Sequence, residues 1–101
     1  MKRRLASGGW RVGDSREFLG LSAEEVAFIE LKLALAAYLR DLRARHGWAQ
    51  SQVAHRLGSS QSRVAKMEAA DASVSLDLLV RSLLALGASR SEVGRVIAEA
   101  A

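Results

Sequence analysis

In the stretch "SSQSRVAKME", Gln61, Ser62, Arg63 and Lys66 can all hydrogen-bond, while Val64 and Met67 are spaced to bury one helical face. Long polar side chains at the exposed start of a short helix suit one chemistry in particular. A helix entering the major groove of DNA reads base edges mainly with its N-terminal residues. Gln pairs with adenine through two hydrogen bonds, and Arg or Lys suits guanine or phosphate. Ser59 and Ser60, next to the exposed N–H groups of a helix start, are placed to hold a phosphate. Gln50, opening the preceding helix, is placed to do the same. A solvated polar face would use the same residue types, so the pattern alone leaves that alternative open.

The elements needed to position these residues can be read from caps and breakers. "QSQVAHRLGSSQSRVAKME" contains two short helices, about Gln50–Leu57 and Ser60–Glu68, joined by a turn at Gly58. Gly tolerates the positive φ such a turn requires, and two short helices around a turn after a longer helix form a helix-turn-helix pattern. The longer helix starts at Ser22, with Glu25 three residues on for a reciprocal capping box and Leu21 placed to staple onto Val26. It runs to about Arg45, and Gly47 supplies a left-handed stop. It carries two apolar stripes: Phe28, Leu31, Leu35, Leu39 and Leu42, then Val26, Ile29, Leu33 and Ala37. Two stripes exceed the needs of one small core, so the front half is expected to pack on a second chain or a partner. A fourth helix follows Ser75, with Leu76, Leu79, Val80 and Leu83 on one face and Leu78 and Leu86 off it, a hint of an interface. A fifth begins near Ser89, again with a capping box to Glu92, and its narrow stripe of Val93, Val96, Ile97 and Ala100 suits docking.

The 101 residues suggest a flexible arm over 1–20 and one helical domain over 21–101. The arm carries four glycines, Trp10 and "WRV", for which a short extended piece and a disordered tail both fit. The net charge is +4. From Arg40 to Lys66, Arg40, Arg43, Arg45, Arg56, Arg63 and Lys66 stand against Asp41 alone, so the basic excess is expected to gather at the reading helix. With no cysteine, a disulfide scaffold and a thiolate site are excluded. "MKRR" is followed by no apolar core segment, so no secretory leader is expected and the chain reads as cytoplasmic. His46 and His55 lack further ligands, the serines lack a neighbouring base, and "GSS" lacks the spacing and lysine of a phosphate loop. Neither an enzyme, a metal site nor a cofactor is expected.

From about Leu39 to Leu86 the chain resembles the Cro/repressor-type helix-turn-helix family often called XRE. The resemblance rests on "LRDLRARHGWAQSQVAHRLGSSQSRVAKMEAAD" and the following "SVSLDLLVRSLLALG". It implies an all-α, five-helix, lambda-repressor-like domain that binds a near-palindromic double-stranded DNA operator as a homodimer. It carries the DNA-binding roles onto Gln50, Ser60, Gln61, Ser62, Arg63 and Lys66, and implies a structural ion pair between Arg43 and Glu68. Two departures stand out: Ala49 replaces the usual helix cap, so that helix should begin less firmly, and "AAD" after Glu68 lacks the usual Gly. More narrowly, the lead-in "LGLSAEEVAFIELKLALAAYLRDLR" and the chain length are similar to HigA-type antitoxins. Those repress their own operon and neutralise a HigB/RelE-like ribonuclease toxin. A stand-alone regulator without a toxin partner is the alternative reading.

Overall fold

The computed structural model describes residues 20–100, so the expectations for an arm with an extended "WRV" lie almost wholly outside the described residues. Five α-helices follow: α1 Ala23–His46, α2 Gln50–Leu57, α3 Gln61–Glu68, α4 Leu76–Ala85 and α5 Arg90–Glu99. No strand occurs among the described residues. The chain divides within α1 into two units, one ending at Glu30 and the other starting at Leu31.

The first unit contributes the start of α1. Ser22 Oγ accepts from the Glu25 N–H at 3.1 Å, and Glu25 Oε1 accepts from the Ser22 N–H at 2.9 Å, satisfying two donors at the helix start. Beyond this cap, Phe28 and Ile29 are 47% and 42% exposed.

In the second unit, α1 supplies Leu35, Leu39 and Leu42 to a single core shared with all four later helices. Leu35, Leu39, Val53, Val64, Leu79 and Leu83 are fully buried and Met67 nearly so. Each such side chain contributes about 1.5–3 kcal/mol by leaving water. Leu86, read from its spacing as an interface residue, is instead core at 7% exposure, while Leu84 takes the outward place. Leu86 is the C-cap of α4, and Gly87 follows at φ +106. Leu86 lies seven residues after Leu79 and three after Leu83, so it continues their buried face to the last position before the chain turns. In α5, Val93 and Val96 are buried and Ile97 is left 36% exposed. Lys32, which interrupts the apolar run from Leu31 to Leu39 in the sequence, is also drawn in. It is 9% exposed, with its stem buried and Nζ donating to the Asp71 carbonyl at 3.2 Å.

The two turns around the short helices hold their geometry with different residues. Gly58 adopts φ +63, and the Ser59 N–H reaches back to the Ala54 carbonyl at 2.8 Å, closing α2 in a left-handed cap. After α3 the same arrangement falls on alanine: Ala70 has φ +52, and the Asp71 N–H donates to the Lys66 carbonyl at 3.0 Å. A Cβ in this region costs about 1–2 kcal/mol, so α3 ends at the place where a Gly is missing, with strain in its stead.

Candidate nucleic-acid interface

The outward face of α3 follows from its cap and its two anchors. Ser60 lies in extended conformation (φ −107, ψ 156) and its Oγ accepts from the Arg63 N–H at 3.1 Å. Val64 is fully buried and Met67 1% exposed, which fixes the rotation of the helix about its axis. Gln61, Ser62, Arg63 and Lys66 are left exposed. The Ser60 hydroxyl oxygen accepts at the cap, and its proton remains for an outside acceptor.

The far end of α3 is fixed by a buried carboxylate. Glu68 is 5% exposed and accepts three hydrogen bonds. Arg43 gives two of them, Nε to Oε2 at 2.5 Å and Nη2 to Oε1 at 3.1 Å. Gln50 Nε2 gives the third, to Oε1 at 3.1 Å. The hydrogen bond to Glu68 raises the Arg43 guanidinium above its ordinary value. Arg43 also donates from Nη1 to the Trp48 carbonyl at 3.1 Å, and Arg40 Nη1 bonds the Glu68 carbonyl. One side chain thus joins the end of α3 to α1 and to the first residue of α2. Two-pronged guanidinium–carboxylate contacts of this kind fix orientation as well as distance. Gln50, half-buried, has one amide proton engaged inside the protein and a second one left over.

The start of α2 compensates in part for its alanine cap. Ala49 has no side-chain acceptor for the helix N–H groups, but Gln52 Oε1 accepts from the Ala49 N–H at 2.7 Å. Only the returning half of a capping box can form there, because alanine carries no oxygen.

Of the six basic residues between Arg40 and Lys66, Arg43 is half-buried and the other five are exposed, several of them engaged by neighbours. Arg40 and Arg43 both bond Glu68, at its carbonyl and its carboxylate, and Arg45 lies over the Tyr38 ring, 5.4 Å from its centroid. Arg56 sits over the Trp48 ring at 4.2 Å, and His46 stacks on Trp48 at 4.0 Å, nearly parallel. Of the six, Arg63 and Lys66 belong to α3 and stay exposed. Guanidinium groups serve here as hydrogen-bond donors and stacking partners as well as solvent-facing charge. The stack of His46, Trp48 and Arg56 was not read from the sequence. Its signal was three flat side chains within eleven residues, spanning a turn.

A short helix locked at both ends, with one face buried and polar side chains along the other, following a second short helix across a glycine turn, defines the DNA-binding helix-turn-helix class. Residues 34–96 match the family model described as a helix-turn-helix domain. That match spans more than half of the sequence, and the chain belongs to the helix-turn-helix domain family. Comparison with curated proteins and with solved structures gives no match. No helix among the described residues is long and apolar enough to cross a membrane.

Proposed function

We propose that this chain is a sequence-specific DNA-binding repressor of the XRE type that works as a homodimer. The observation that carries the proposal is the exposure of Gln61, Ser62, Arg63 and Lys66 on a helix whose opposite face and far end are both fixed. Preorganised donors lose little freedom on binding, which is where a rigid reader gains over a flexible basic segment. Gln61, Ser62 and Lys66 carry the base preference, and Gln50, Ser60 and Arg63 hold phosphates and set the register. Gln50 uses the amide proton that Glu68 leaves over. Two copies place their reading helices about 34–36 Å apart on a near-palindromic site.

A second reading is favoured by Phe28 and Ile29, which lie outside the matched domain and are exposed. Large apolar side chains exposed together suit a protein partner. The first helical turn beside them carries Glu24 and Glu25, which suits a basic one. In this reading the chain is also the antitoxin of a type II toxin–antitoxin pair, silencing a HigB/RelE-like ribonuclease while repressing its own operon.

The test is fluorescence anisotropy on DNA from upstream of the chain's own gene, beside scrambled DNA, across a salt series. Tight binding to its own sequence with a steep salt slope is expected. Equal, weak binding to both DNAs would overturn the repressor. Co-purification with a small basic ribonuclease encoded next to it tests the antitoxin. A variant carrying Phe28→Ser and Ile29→Ser should lose that partner and keep DNA.

A further inference from the structure

Beside the reading helix, between the α2–α3 turn and α4, lies a pocket of about 450 Å³. Its size falls within the range of small-molecule sites. Leu57, Met67 and Leu78 supply an apolar lining, and Arg63 and Arg81 stand at the same pocket as its charged groups. Arg63 has no ion-pair partner among the described residues, and Arg81 has only a loose contact with Asp77 at 3.4 Å between two exposed side chains. A buried hydroxyl, Ser82, also lines the pocket. It is 5% exposed, and its Oγ donates to the thioether sulfur of Met67 at 3.5 Å. A thioether is a weak acceptor, so this buried donor is poorly satisfied as the pocket stands.

We propose that this pocket binds a small amphipathic anion, a carboxylate or phosphate monoester with an aliphatic body. The body lies on the half-buried Leu57 and Leu78, where no aromatic ring is present to favour a flat ligand. The anionic head lies between Arg63 and Arg81, and an oxygen of the ligand takes the Ser82 proton in place of sulfur. Two guanidinium groups at one mouth select against cations and against neutral alkanes. A second consequence rests on the DNA-reading proposal. Arg63 serves both the pocket and the phosphate backbone, so occupancy competes with DNA and makes the anion an inducer.

The experiment uses the full chain, ¹⁵N-labelled and titrated with decanoate below its micellar concentration, with decyltrimethylammonium as a cation of equal chain length. Decanoate should saturate, moving the amide signals of Gly58, Ser59 and Ser82, and the cation should not. Arg81→Gln, at a side chain 76% exposed, should fold normally and weaken decanoate by about fivefold, the upper range for a solvent-accessible ion pair. Arg81→Lys should restore most of that loss. Ala85→Leu, at an exposed position lining the same pocket, should fill it and abolish saturation. Shifts that fail to saturate, equal binding of the cation, or unchanged affinity in both Arg81→Gln and Ala85→Leu would overturn the site. Because these titrations contain no DNA, they decide the pocket even if the chain binds no operator. Adding saturating decanoate to the chain–operator complex should then lower DNA affinity, and an unchanged affinity would remove the inducer role alone.

Discussion

Replacing Glu68 by Gln keeps the shape of the side chain and removes the charge on which α1, α2 and α3 converge. The carboxylate accepts from Arg43 Nε, Arg43 Nη2 and Gln50 Nε2. An amide in its place offers one oxygen and one NH₂ group, so at least one donor then faces a donor. Breaking a buried pair by removing one partner costs about 3–5 kcal/mol. Glu68 meets that condition at 5% exposure, but Arg43 is 25% exposed and recovers some hydration. The expected loss is therefore about 2–3 kcal/mol. Urea unfolding followed by circular dichroism should show a lower midpoint with an unchanged slope, because the surface exposed on unfolding is the same. The pair Arg81–Asp77, at 76% and 74% exposure, is the internal comparison, and Arg81→Ala should cost less than about 0.5 kcal/mol. Converting both Arg43 and Glu68 to Met should recover part of the loss, since no stranded charge remains while the Trp48 carbonyl and the Gln50 amide lose their partners. A loss for Glu68→Gln no larger than that for Arg81→Ala would refute the reasoning, showing that water already reaches the carboxylate.

Ala70→Gly should stabilise the fold by about 0.5–1 kcal/mol, the relief of a left-handed Cβ less the greater freedom of glycine in the unfolded chain, read as a higher urea midpoint. Asp71 is held below its ordinary value by the hydroxyl of Ser73, then by the Ser73 N–H. A lowered carboxylate contributes stability above its unfolded pKa and loses it as pH falls through the folded value, so Asp71→Asn should flatten the acid limb of a stability–pH curve. On operator DNA, Gln61→Ala should lose about 1–3 kcal/mol and blur one base position, whereas Arg63→Ala should weaken all sequences alike and reduce the salt slope by about 1. Equal losses on specific and random DNA for both variants would contradict the division of roles. Sedimentation at micromolar concentration should show a dimer, and a species of 10.9 kDa would count against it.

The helices were legible because their ends are written in side chains that can act only locally. Ser22 with Glu25 and Ser89 with Glu92 form the reciprocal caps their spacing suggests, and Gly47 and Gly58 take the positive φ that closes a helix. The absence of a Gly after Glu68 was visible as well, though not that Ala70 would take up the strained conformation. What stayed hidden depends on contacts between residues far apart in the chain. Lys32 looks like a break in an apolar run until the Asp71 carbonyl, 39 residues away, comes within reach of its ammonium. Arg40 counts as free surface charge until the Glu68 carbonyl, 28 residues on, comes within reach of its guanidinium; the Arg43–Glu68 pair was open to expectation only through the family resemblance. Local propensity carries no information about such partners. Leu86, by contrast, sits on the face of Leu79 and Leu83 by spacing alone, and its burial was open to a closer reading of that period. The composition of the outward face of α3 was legible, since Val64 and Met67 alone suffice to orient it.

The position of Glu68 also has a practical consequence. Ion pairs in water fade as salt is added, but a carboxylate at 5% exposure is shielded from mobile ions. The exposed contacts proposed for Arg63 and Lys66 have no such protection. Raising the salt therefore switches off the outer charges of α3 and leaves its mounting intact. Affinity measured along a salt series then reports on the interface and not on a helix coming loose, and the two can be varied independently in one tube.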